Sequence, residues 1–177
     1  MKIFSHHVIN TYLQDPFGHR GTDFIKTKPC RSFHIGWSDL PKDTKSLALI
    51  FIDYEAIPVC GFPWIHWTMA NINPALGELL ENFSIQNKSN HNSEFIEGVT
   101  SWNSKLLPSE WFLDKEDATG YGGAAPPDCT HRYTVDLFAL DILKLDLNRG
   151  FFMNELLNKM ESHILDQAKL HMFYKSK

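Results

Sequence analysis

One carboxylate and two imidazoles stand at comparable places along this chain. Asp53 closes the apolar run SLALIFID (Ser46 to Asp53), His66 lies near the start of WIHWTMANI (Trp64 to Ile72), and His131 opens HRYTVDLFAL (His131 to Leu140). A carboxylate beside an imidazole favours the charged ring, and histidine titrates close to neutral pH, so such a pair can offer N–H donors to an oxyanion. Two histidines and one carboxylate can equally form a facial metal site with open positions. Immediately before His131 runs GYGGAAPPDCTHRY, Gly120 to Tyr133. Its glycines allow close backbone approach or positive φ, and Pro126 and Pro127 hold the chain extended. This is a shaped loop opening into a strand, and glycine-rich backbone can add donors to an anion nest.

These groups must be positioned by strands, because the three segments that carry them are short and rich in β-branched, aromatic and aliphatic residues. SFHIGW, Ser32 to Trp37, is a weaker fourth candidate. Alternation along a strand puts Asp53 on the face of Leu47, Leu49 and Phe51, pairs Trp64 with His66, and pairs His131 with Tyr133, Val135 and Leu137. SLALIFID is apolar on both faces, as expected of a strand buried on both sides. If it and the next strand are antiparallel neighbours, YEAIPVCGFP turns the chain back and brings Asp53 and His66 to one rim. His131 reaches the same rim from its loop, and Trp64 walls the cavity. Residue pattern alone leaves a second reading open, in which Asp53, His66 and His131 make structural hydrogen bonds and Trp64 and Tyr133 only pack.

From Phe151 onward, Phe152, Leu156, Met160, Ile164, Ala168 and Met172 recur every four residues, joined by Leu157 and Leu165. This spacing predicts a C-terminal amphipathic helix, with Asn154 as its cap, Glu155 on the helix dipole and an apolar stripe that packs on the sheet. The polar stretch QNKSNHNSEFIEG, Gln86 to Gly98, reads as a solvated surface loop inside one domain spanning residues 1–177. Strands first and one clear helix late favour a mainly β sandwich with peripheral helices over a βαβ repeat.

Composition narrows the function classes. At 177 residues, 43% hydrophobic and 21% charged, the chain is an ordinary globular domain. A net charge of −4 with scattered Lys and Arg gives no basic face for nucleic acid and no cluster for an anionic membrane surface. No apolar run approaches a membrane span, so integral membrane association is not expected. Cys30, Cys60 and Cys129 are an odd number without a Cys-x-x-Cys pair, and the amino terminus lacks an apolar signal segment, which together read as a cytoplasmic protein with free thiols. Spaced metal motifs such as His-Glu-x-x-His are missing, as is a Gly-x-Ser-x-Gly elbow, and Cys129 beside His131 has no evident third partner. No cofactor or metal is expected, and a two-His, one-carboxylate hydrolase stays as an alternative to a binding protein.

FIDYEAIP, then WIHWTMANI, then GYGGAAPPDCTHRYTVDLFALD, in that order, resembles the phosphatidylethanolamine-binding protein family, and more narrowly its bacterial Raf-kinase-inhibitor-like branch. IGWSDLPKDTKSLAL upstream and SWNS (Ser101 to Ser104) between the motifs extend the likeness over nearly the whole chain. The resemblance implies a β-sandwich of antiparallel sheets, Greek-key in type, with peripheral helices. It implies a non-catalytic pocket for a small anionic or phosphorylated ligand such as a phospholipid headgroup. Carried over by motif, that pocket uses Asp53, Trp64, His66, Pro127, His131 and Tyr133, with Gly122 and Gly123 lining its edge. Regulation of a kinase or protease and self-association as a homodimer are the partner relations it implies. A pure interaction module, with Trp37, Trp67, Trp102 and Trp111 as contacts, is the third class. Two departures stand out. The family's Asp-Pro-Asp-Ala-Pro reads here Asp53-Tyr54-Glu55-Ala56-Ile57, with Pro58 one place later, which loosens the loop and reshapes the rim. CRSF replaces an Asn-x-Ser-Pro-like sequence and brings Cys30 toward the expected pocket.

Overall fold

A computed structural model of the chain describes residues 1–88 and 95–176. In chain order its strands are β1 (Lys2–Phe4), β2 (Val8–Ile9), β3 (Tyr12–Leu13), β4 (Phe24–Ile25), β5 (Lys28–Pro29), β6 (Ile35–Ser38), β7 (Ser46–Asp53), β8 (Trp64–Ile72), β9 (Glu78–Leu79), β10 (Ile96–Glu97), β11 (His131–Leu140) and β12 (Ile164–Tyr174). The α-helices are short: α1 (Ile57–Cys60), α2 (Phe83–Gln86), α3 (Lys115–Ala118) and α4 (Met153–Met160). The fold is mainly β. A seven-stranded sheet runs in the order β10-β8-β7-β11-β12-β3-β2, beside a three-stranded sheet β1-β6-β9 and the pair β4-β5. The large sheet is mixed, because β12 and β3 are parallel where the sequence led us to expect antiparallel neighbours throughout. No helix among the described residues is long and apolar enough to cross a membrane.

β7 lies inside the large sheet between β8 and β11, and its two faces feed two cores. Leu47, Leu49 and Phe51 pack with Trp67, Met69, Val135 and Leu137, and with Ile35 and Trp37 of the smaller sheet. Ala48, Ile50 and Ile52 pack on the opposite side against Phe151, Leu156 and Met160. This accounts for a strand that is apolar at every position between Ser46 and Asp53. Burying each of its Leu, Ile and Phe side chains contributes about 1.5–3 kcal/mol relative to leaving them in water.

The C-terminal helix is where the sequence expectation fails. Only Met153–Met160 is α-helical; after a short 3-10 turn, Ile164–Tyr174 is the edge-to-edge partner of β11, in register from His131↔Tyr174 to Leu140↔Ile164. A four-residue spacing is also a multiple of two, so Ile164, Ala168 and Met172 fall on one face of a strand as readily as on one face of a helix. The residues between them decide the matter. Gln167, Lys169 and His171 are exposed, whereas Ala168, Leu170, Met172 and Tyr174 are partly or wholly buried, the alternation of a half-buried strand. Asn154 is not the helix cap either. The helix begins after Phe152, and Glu155 accepts a hydrogen bond from the Phe152 backbone N–H at 2.7 Å, so the acidic side chain does sit in the first turn.

The polar stretch from Gln86 to Gly98 is likewise not solvated throughout. Residues 89–94 lie outside the described residues, but Glu97 is buried and accepts the Trp67 indole N–H at 2.7 Å.

Candidate functional site

Register brings the site together. Asp53 is opposite Trp64 on β8 and opposite Tyr133 on β11, so these three side chains share one rung at the same end of three neighbouring strands. The antiparallel β7–β8 pair is the arrangement read from the sequence, and α1 forms part of the turn between the two strands. One irregularity then matters. Phe51 faces Trp67 whereas Ile52 faces Ile65, leaving His66 as an extra residue on β8. Such a bulge bends its strand and re-aims a side chain, and bulges gather beside binding sites. Here the Ile65 backbone N–H at the bulge donates to Ser101 Oγ at 2.9 Å.

A cavity of about 270 Å³ opens at this end of the sheet. Asp53, Trp64, His66, Pro127, His131 and Tyr133 all line it. Trp102 and Trp111, with Leu107 and Pro108, close a second wall, and Val59 and Cys60 come from α1. The sequence reading did not place Trp102 or Trp111 in the site, because the 3-10 turn Ser101–Asn103 and the irregular segment after it carry no periodic signal. Cys30 is buried away from the wall, where Cys60 stands instead.

Gly122 and Gly123 correct another expectation. They do not line the cavity, and their backbone donors are not free for an anion: Gly122 N–H donates to the His66 carbonyl at 2.7 Å and Gly123 N–H to the Pro29 carbonyl at 2.8 Å. Their role is close packing. A Cβ on Gly122 would lie 2.5 Å from Trp102 Cζ3 and 3.3 Å from Lys28 Cδ. Gly122→Ala is therefore expected to push Trp102 out of its position and to destabilise the chain by about 1–3 kcal/mol. Chemical denaturation together with Trp fluorescence reports both effects, and an unchanged midpoint and spectrum would refute the packing argument.

The two histidines differ in electrostatics. His66 is fully buried, packed against Phe51, Trp102 and Tyr133, and its Nδ1–H donates to the Gly122 carbonyl at 2.8 Å. Burial lowers its pKa to about 4, with the Asp53 carboxylate only partly opposing the shift. The neutral ring thus has its proton on Nδ1 and leaves Nε2 as an acceptor. His131 is held at both nitrogens: Nδ1 donates to Asp53 Oδ2 at 2.7 Å and Nε2 to Asp128 Oδ1 at 2.9 Å. Burial works against its charge, but the hydrogen bonds and charges of Asp53 and Asp128 outweigh it and raise the pKa above the ordinary value. Asp128 escaped the sequence reading, although it lies only three residues before His131.

Asp53 is itself fixed. Its Oδ1 accepts the Glu55 and Ala56 backbone N–H groups at 2.8 and 3.2 Å, which closes the turn through Tyr54. These contacts do not make the two-His, one-carboxylate metal set. Among the described residues Asp53, His66 and His131 do not together form a group of potential ligands converging within 4.8 Å. Asp53 instead takes the proton side of His131, and His66 faces a carbonyl.

Three side chains of the cavity wall carry buried donors without a close partner. Among the described residues Trp64 Nε1 and Trp102 Nε1 are buried without a hydrogen bond, and the Tyr133 hydroxyl, buried beside the Asp53 carboxylate and the Ala125 backbone, makes none at normal hydrogen-bond distance. Burial, and next the Asp53 charge, raise the Tyr133 pKa well above its ordinary value, so it stays an O–H donor.

Comparison with known proteins agrees with this arrangement of strands and motifs. The family model described as phosphatidylethanolamine-binding protein matches residues 7–175. A Bacillus subtilis protein, YxkA, described as uncharacterized, is 41% identical over 165 residues, covering 92% of this chain and 94% of its own. A UPF0098 protein of Methanothermobacter thermautotrophicus is 33% identical over 141 residues, 80% of each chain. Among solved structures, Escherichia coli YbcL, described as a member of the mammalian PEBP family, superposes with a TM-score of 0.78 at 21% identity, covering 99% of this chain and 98% of that one. A phosphatidylethanolamine-binding protein homologue of Chlamydia trachomatis gives 0.75 at 24% identity, covering 99% and 97%. Those two likenesses establish the fold. With a family model spanning nearly all of its length and a relative this similar, the chain belongs to the phosphatidylethanolamine-binding protein family.

Proposed function

We propose that this chain is a non-catalytic binding protein whose cavity takes a small oxyanion, such as a phosphate ester or phospholipid headgroup. The observation that carries the reading is the set of buried donors on Trp64, Trp102 and Tyr133 that make no close hydrogen bond in the protein, on side chains that line one small cavity. Buried donors almost always find an acceptor, and a single oxygen-rich guest would satisfy all three. Asp53 and Asp128 hold His131 in place, and His66 contributes a further donor once it takes up a proton. Among the described residues the cavity wall contains no Lys or Arg. A guest bearing one negative charge, or one that brings its own proton, therefore fits better than a dianion. The single domain, with its two larger sheets as the leaves of a sandwich, is read as the rigid support for this cup, acting in the cytoplasm.

Tyr133→Phe tests the reading with little structural disturbance. Because the hydroxyl makes no close hydrogen bond in the protein, stability should stay within about 1 kcal/mol of the parent, while affinity for phosphate or a phosphodiester falls about tenfold. Titration followed by amide NMR measures the affinity. Equal binding by parent and variant, or no binding by either, would reject the oxyanion assignment.

Exposed apolar side chains favour a second reading, in which a protein partner is also engaged. Tyr54, Ile57, Val59 and Trp111 are each between 45% and 52% exposed, and Val59 and Trp111 border the cavity. The family analogy makes that partner a kinase or protease, or a second copy of this chain. Binding of small anions with no protein captured at this rim would leave only the first reading.

A further inference from the structure

The residues at the outer end of His131 carry a chemistry that the oxyanion reading does not use. We propose that Asp128, Cys129 and His131 form a three-ligand site for a borderline-soft divalent transition metal, Zn²⁺ in its chemical class. Each offers one ligand atom, and the three atoms lie within 4.8 Å of one another. Tetrahedral bonds of about 2.0 Å to nitrogen and oxygen and about 2.3 Å to sulfur separate ligand atoms by roughly 3.3–3.6 Å. The His131 Nε2 to Asp128 Oδ1 distance of 2.9 Å needs only a few tenths of an ångström to open to that spacing.

The tautomer is correct for this role. Metal-bound histidines characteristically donate their second N–H to a carboxylate or carbonyl, which fixes the ring and raises its basicity. His131 does so with Nδ1 toward Asp53 at 2.7 Å, and Asp53 is in turn locked by two backbone N–H groups. The nitrogen left for the metal is Nε2, on the Asp128 side. Cys129 and Asp128 are exposed, so an ion can enter from solvent. A second cluster, His6, His34 and Glu78, brings its donors equally close. There, however, His34 Nδ1 accepts the His6 backbone N–H at 3.3 Å, which puts the ring proton on Nε2, between the ring and Glu78. That ring must exchange tautomers before it can ligate, and His131 need not.

Binding replaces protons. The metal takes the place of the proton on Nε2 of the His131 imidazolium and of the proton on the Cys129 thiol, so two protons leave per ion and no electrons are transferred. The Asp128 carboxylate and the Cys129 thiolate bring two negative charges against the two positive charges of the ion. Three protein ligands leave a fourth position for water or a guest oxygen, the pattern of an open rather than a closed zinc site.

Co²⁺, which takes the same ligands and reports thiolate coordination by colour, is the probe. Titrating it into the full chain, stripped beforehand with chelator, should produce a thiolate-to-cobalt charge-transfer band in the near ultraviolet that saturates at one equivalent and is abolished by Zn²⁺. Cys129→Ser should remove the band, Asp128→Asn should weaken Co²⁺ binding at least about tenfold, and Cys60→Ser should leave both unchanged. Because Cys129 and Asp128 are exposed, these variants fold, and their circular dichroism confirms it. No thiolate band in the parent, a band that survives Cys129→Ser, or a band lost in Cys60→Ser would each overturn the proposal. None of these results depends on whether the cavity binds an oxyanion, which Tyr133→Phe tests separately.

Discussion

Replacing Asp53 by alanine is expected to lower folding stability by about 3–5 kcal/mol and to abolish ligand binding, the largest effect of any single substitution at this site. The carboxylate is buried and accepts three hydrogen bonds: Glu55 and Ala56 N–H on Oδ1, His131 Nδ1 on Oδ2. Alanine removes all three acceptors at once and leaves the His131 ring facing only Asp128. An orphaned buried donor costs about 1–3 kcal/mol, and more where the donor is charged. Asp53→Asn separates the contributions. Its amide oxygen still accepts the two backbone N–H groups, while its NH₂ faces His131 Nδ1 and drives that ring toward the neutral form. Asp53→Asn should therefore be the milder change in stability and still lower the His131 pKa. Urea denaturation at pH 7 gives the first quantity and imidazole NMR titration the second. If Asp53→Ala unfolded within about 1 kcal/mol of the parent, the carboxylate would not be the anchor of this end of the sheet.

How much of this was legible without coordinates follows from which interactions have a period. The two-residue alternation of strands is written in SLALIFID and HRYTVDLFAL, and it puts Asp53 and Tyr133 on inward faces that register then makes neighbours. Motif order supplied six residues of the cavity wall. A bulge has no such signature: the extra residue at His66 depends on how β7 and β8 slip past one another, which no side-chain pattern encodes. The backbone donors of Gly122 and Gly123 were misassigned for a related reason. Glycine signals that backbone can come close to something, but here the close neighbours are the His66 and Pro29 carbonyls, not a guest. The last strand was misread because a four-residue repeat fits both periods, and the choice was made by β11, whose free edge needed a partner along its whole length. Asp128 was overlooked because its contact with His131 spans a turn in which neither helix nor strand parity applies.

Affinity for a singly charged phosphodiester should rise as pH falls from about 7.5 to 5.5, approaching tenfold per unit, through proton uptake by His66. In the free protein this ring has a pKa of about 4, held down first by burial, so at neutral pH its Nε2 is an acceptor on a ring that lines a cavity proposed to hold oxygen acceptors. An anion beside the ring stabilises its charged form and raises that pKa, and the ligand then binds together with one proton. Each pH unit is worth about 1.4 kcal/mol when uptake is complete. A phosphodiester is the right probe because, unlike a monoester with a second pKa near 6, it does not titrate over this range. Folding responds in the opposite sense. Since the folded pKa lies below the ordinary 6.5, the unfolded chain holds the proton more tightly. The group has no effect on stability well above pH 6.5, and about 3 kcal/mol is lost progressively as pH falls through the window down to about 4, after which nothing further is lost. His66→Gln, which cannot take up a proton, should flatten both dependences. Burial works against the His131 charge, yet Asp53 and Asp128 raise its pKa; that ring is untouched in His66→Gln, so any slope it contributes survives in the variant. Isothermal titration in buffers of different ionisation enthalpy counts the protons directly. An affinity constant across this range, or a slope that survives His66→Gln, would remove His66 from the binding step.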